Sequence, residues 1–149
     1  MQTDTNMKGG ISGRTGKFPG GTMVLTLNGP VAIEALRPKD RIITRSGARE
    51  VRAIRRETDC PPPMVRVAAS ALGLELLAQD ILLPVSQTIL FRDWRAKALR
   101  GVPAAAIPAG ELIDGEYIRP EPQGEPDLYQ LEFDMPEVIY AHGLELPCA

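Results

Sequence analysis

Apolar positions along this chain come in short runs rather than helical stripes. From Phe18 onward the runs are broken by turn residues about every 8–12 positions, the rhythm of a sandwich or barrel-like β fold. Met23-Val24-Leu25-Thr26-Leu27 ends at Asn28-Gly29-Pro30, and an Asn-Gly pair between apolar runs is the strongest local signal for a hairpin. Val31-Ala32-Ile33 is the returning strand. Leu36–Asp40 reads as a turn that launches Arg41–Thr44, and Ser46-Gly47 closes a second hairpin whose return runs over Ala48–Arg56. Cys60-Pro61-Pro62-Pro63 is extended, because each proline fixes its own φ and restrains the residue before it.

Further along, Met64–Val67, Ile81–Val85 and Thr88–Phe91 predict strands, with a break at Pro84–Gln87, and Ser70–Leu77 predicts a helical turn or a loop. Trp94–Arg100 predicts a helix, with Trp94 as a core or packed anchor, and Ala109–Ile113 a short second one. Ile118–Asp127, with three prolines, predicts an exposed loop. Leu128–Phe133 and Val138–Ala141 are the closing strands. The polar, glycine-rich stretch 1–16 predicts a flexible start, leaving 17–149 as one all-β domain with one or two short helices.

Composition narrows the function classes. At 149 residues, with 44% hydrophobic and 24% charged residues, the chain has room for a single globular core. Its 17 basic and 19 acidic residues give a net charge of −2, which argues against a nucleic-acid partner. The arginines at 41, 45, 49, 52, 55 and 56 are the local exception, but Glu50, Glu57 and Asp59 dilute them into a solvated strand face. No secretory signal or membrane span is evident, so the default compartment is the cytoplasm and no membrane partner is expected. Cys60 and Cys148 lie far apart without CxxC spacing and read as free thiols, Cys60 as buried or half-buried filler. With His142 as the single histidine they cannot complete a zinc set, so neither a metal nor a cofactor is predicted. Protein is the partner class left open.

Several phrases in order resemble one family. Phe18-Pro19-Gly20-Gly21-Thr22-Met23-Val24, then Gly29–Thr44, Asp80–Leu90 and Leu131–Leu144 are similar to the opening, central strand pair and closing hairpin of bacterial Hint (hedgehog/intein) autoprocessing domains. The resemblance implies a horseshoe of curved, hairpin-linked strands. It also implies a chemistry. A Cys or Ser at the first position attacks the preceding peptide carbonyl, and a His in a Thr/Ser-x-x-His segment protonates the departing amide. Here the matching nucleophile position is Lys17, with Gly16 and Phe18 as its neighbours, and Pro84-Val85-Ser86-Gln87 matches the histidine segment. A charged ammonium is no nucleophile near neutral pH, and a carboxamide exchanges no proton there. The resemblance therefore implies a degenerate member, inactive in autoprocessing and kept as a structural or binding module.

The rival reading is a divergent self-cleaving domain with a hydroxyl nucleophile between residues 12 and 22, from Ser12, Thr15 or Thr22, paired with His142. Asp80 is the best candidate for acid/base support, although Asp40, Asp80 and Asp134 all sit where aspartate usually caps a turn. Cys148 follows Pro147, where splicing elements carry Asn, and reads as an incidental thiol.

Overall fold

A computed structural model describes residues 15–57, 62–68, 80–121 and 127–148. Ser12, Cys60, the stretch Ser70–Leu77 and the start of the chain apart from Thr15 and Gly16 lie outside the described residues.

Strands dominate, for the reason the alternating runs suggest. The first are β1 (Lys17–Pro19), β2 (Met23–Thr26) and β3 (Gly29–Ala32). A two-residue turn at Leu27-Asn28 joins β2 to β3, and Gly29 accepts a φ of +92° that an L side chain rarely adopts. Next come β4 (Arg41–Thr44), β5 (Gly47–Glu50) and β6 (Ala53–Glu57). The return predicted over Ala48–Arg56 is thus two strands. β5 pairs with β4, whereas β6 crosses to another sheet, and the break falls at Val51-Arg52, where Val51 is buried.

The chain continues through β7 (Met64–Val67), β8 (Ile81–Pro84) and β9 (Thr88–Phe91) to helix α1 (Trp94–Arg100). After β10 (Ala105–Pro108) a 3-10 turn covers Ala109–Leu112. It ends with β11 (Ile118–Glu121), β12 (Leu128–Glu132), β13 (Glu137–Ala141) and β14 (Leu144–Cys148). The loop expected over Ile118–Asp127 begins as a strand. β11 is the edge of the sheet β11-β7-β8, where Pro120 lacks only an N–H that a central strand would need.

The other sheets are β1-β12-β6, the pair β9-β10, and a six-stranded sheet ordered β14-β13-β2-β4-β5 with β3 on β2. One hydrophobic core joins them all, and Phe18, Val24, Ile42, Leu83, Ile89, Ile107, Ile139 and Leu146 are essentially inaccessible to solvent. α1 turns only Ala96 into that core. Trp94 is 69% exposed, against the expectation of a core anchor, and stacks under the Arg95 guanidinium 4.7 Å from its ring. Among the described residues no helix is long and apolar enough to cross a membrane.

Candidate functional site

Gln87 follows the tight turn between β8 and β9, where its N–H donates to the Pro84 carbonyl at 2.9 Å. Its own carbonyl accepts from Ala109 N–H at 2.9 Å, which seats it against the 3-10 turn. Only 1% of the residue is exposed. A carboxamide so buried must find partners, because an unpaired one costs about 1–3 kcal/mol. It finds three. Oε1 accepts the Gly16 N–H at 2.8 Å, and Nε2 donates to the carbonyls of Thr88 at 2.9 Å and Pro147 at 3.0 Å. The partners settle which end of the amide is oxygen, since an N–H faces one atom and two carbonyls face the other.

Gly16 is the first residue of this cluster. It has a φ of +101°, and its carbonyl accepts from Leu131 N–H on β12 at 3.2 Å. Cys148, the last residue of β14, packs directly on it. An ideal Cβ at residue 16 would stand 3.2 Å from Cys148 Cβ and 3.3 Å from its Sγ. The Cys148 thiol is buried, and burial, helped by the negative charge of Glu137 opposite it in register, pushes its pKa up and keeps it protonated. Gln87 thus joins the segment that leads into β1, the start of β9 and the end of β14.

The arrangement matches a known domain across nearly its whole length: a family model described as Hint domain covers residues 17–147. The chain belongs to the Hint-domain family. Two solved structures share the fold. One is the solution structure of a bacterial intein-like domain from Clostridium thermocellum, 18% identical, with a TM-score of 0.58 over 90% of this chain and 98% of that one. The other is the crystal structure of the gp41-1 intein, 12% identical, with a TM-score of 0.54 over 89% of this chain and 98% of that one. No curated protein matches the sequence.

Within this Hint domain the backbone amide facing residue 87 belongs to Gly16, one position before the expected Lys17. Lys17 lies on the surface of β1, with Nζ 2.8 Å from Glu57. Pro84 ends β8 and closes the turn that presents Gln87. His142 lies elsewhere. It occupies the turn between β13 and β14 with a φ of +52°, and its Nε2 accepts the Met23 N–H at 3.1 Å. From Leu144 to Cys148 the strand advances about 3.3 Å per residue, so His142 and the Gly16–Gln87 contact sit at opposite ends of β14, roughly 13 Å apart along it. Thr22 precedes Met23 and is thus brought beside His142, but its hydroxyl donates to the Pro19 carbonyl at 2.8 Å.

Asp80 immediately precedes β8, at the end away from Gln87, 3.7 Å from Arg66. Asp40 accepts the Arg37 N–H at 2.9 Å in the turn before β4, and Asp134 lies 3.9 Å from Arg52. Five of the six arginines in the run have a carboxylate beside them. Arg41 reaches Glu50, Arg49 reaches Glu137, Arg52 and Arg55 share Glu132, and Arg56 takes Asp127. Among the described residues no cluster of His, Cys, Asp and Glu is arranged to hold a metal. Sequence reading singled out Gln87 and Cys148 separately but missed Gly16 as the residue between them. The only signal available was a glycine immediately before the first apolar strand.

Proposed function

We propose that this Hint domain does not cleave or splice itself, and that it serves as a structural module whose reaction centre has become a fastening between the segment that leads into β1 and the last strand. The observation that carries this reading is the Gln87 carboxamide, buried and bonded to Gly16 N–H, Thr88 O and Pro147 O. If residue 16 stands at the nucleophile position, the amide that would leave in autoprocessing is the Gly16 N–H. A departing amide needs a proton, and a carboxamide has none to give near pH 7. Gly16 has no side chain to attack the Thr15 carbonyl, and the Lys17 ammonium is engaged by Glu57. Both the attacking and the protonating group are then missing, while the contacts that position the peptide are kept. Electrospray mass of the full chain after days at pH 6–9, with and without hydroxylamine or a thiol, is expected to show one intact species. Release of residues 1–15 would refute the reading.

The contact between His142 and Met23 N–H favours one rival, a hydroxyl-dependent cleavage by Thr22 with His142 as base. That rival requires a shortened product in the wild-type protein that disappears in His142→Ala.

A further inference from the structure

We infer that Cys148 restricts residue 16 to glycine, so that the missing nucleophile cannot be restored by replacing that residue alone. The inference rests on the reading of residue 16 as the nucleophile position, and it adds a cause for the emptiness of that position. Two obstacles meet at Gly16. Its φ of +101° lies where an L side chain is strained wherever it points. Independently, the volume a Cβ would occupy is bounded by Cys148, whose Cβ, Cα and Sγ stand at 3.2, 3.3 and 3.3 Å. Carbon–carbon contacts are most favourable at about 3.5–4.0 Å, so every one of these is on the repulsive side.

Cys148 has little freedom to yield. It is 3% exposed and is the last residue of β14, in register with Glu137 on β13. The preceding Pro147 carbonyl is held by Gln87 Nε2 at 3.0 Å. On the other side Gly16 is held by Gln87 Oε1 and by Leu131 N–H, so neither segment can retreat without breaking one of these hydrogen bonds. A serine or cysteine at 16 brings a Cβ and one atom more, and meets the same wall. The thiol of Cys148 acts here by its size: burial keeps it protonated, and the strand fixes where it lies.

The test is a double-mutant cycle on the full chain, read as the urea midpoint of unfolding, with Gly16→Ala and Cys148→Gly made singly and together. Cys148→Gly removes two of the three crowding atoms and leaves the backbone conformation at 16 as it was. Gly16→Ala is expected to lower the midpoint at least twice as far in the parent chain as in the Cys148→Gly chain. Lys17→Ala, a surface change one residue away, is expected to shift the midpoint equally in both. Equal losses for Gly16→Ala in the two backgrounds would overturn the inference, because φ alone would then explain the glycine. If Gly16→Ala fails to fold in the parent chain, folding of the double variant supports the inference and failure of both overturns it. Self-cleavage of the wild-type chain would defeat the proposed function and leave this cycle unaffected.

Discussion

At the scale of single residues, the Gln87 carboxamide ties together three segments that are far apart in the chain. Removing it leaves the Gly16 N–H and the Thr88 and Pro147 carbonyls without their side-chain partner in a buried to half-buried site. At about 1 kcal/mol for each lost bond, Gln87→Ala should cost roughly 3 kcal/mol in urea unfolding, a large part of a small domain's stability. Gln87→Glu should fare little better, because its carboxylate repeats the bond to Gly16 N–H but faces two carbonyl oxygens with no proton to offer. The sequence shows a glutamine where a histidine is expected. It does not show which backbone amide that glutamine meets. The offset between Lys17 and Gly16 is set by the pairing of residue 16 with Leu131, a contact more than a hundred residues away in the chain.

Among the elements, local rules and tertiary context divide the work unevenly. α1 obeys local rules. Asp93 accepts the Arg95 N–H at 2.9 Å as its N-cap, and Gly101 closes it with a φ of +72°. Asp93→Ala should therefore lower thermal stability by about 1 kcal/mol. Trp94→Ala, at the first turn of the same helix, should change it by less than about 0.5 kcal/mol beyond the loss of the Arg95 stack, since the ring is largely in water. The apolar character of tryptophan pointed to the core, but a seven-residue helix has one inward position here, and Ala96 takes it. β11 went unseen for the opposite reason. Pro120 and the two prolines that follow the strand argue for a loop, and only its place at the edge of a sheet makes Pro120 compatible with a strand.

Over the whole molecule, electrostatics balance locally instead of building a field. Because the guanidinium groups on β5 and β6 already have carboxylate neighbours, the face offers no free row of cations to phosphates. The same pairing predicts how stability follows pH. Glu34 is held below the usual carboxylate range mainly by the Gly21 N–H, Asp114 by the N–H of Ile118 and then of Glu116, Glu121 by Arg66 and Glu132 by Arg55. A carboxyl whose pKa is lower folded than unfolded stabilises the native state above its unfolded value, and loses that contribution as the pH falls through its folded one. Unfolding free energy should accordingly be flat around neutrality and decline on acidification below about pH 4.5. Glu34 and Asp114 are exposed and Glu121 and Glu132 only half-buried, so each contribution is small and salt weakens those that rest on arginine. Urea midpoints measured from pH 7 down to pH 3 would show the slope, and a midpoint that rises with acid would contradict it.

Alternating apolar runs, glycine-marked turns and the order of family-like phrases determined the all-β class, most strand positions and the Hint resemblance, because strand periodicity and turn chemistry are local properties of the chain. Those same residues named Lys17 and Gln87 as the positions to inspect. Only the tertiary structure decided that the glutamine bonds Gly16, that Cys148 fills the space beside it, and that His142 lies at the far end of β14. The physical reason is that each of these contacts joins residues far apart in sequence, where a shift of one position in strand register changes which atoms meet while leaving the pattern of apolar and polar residues as it was.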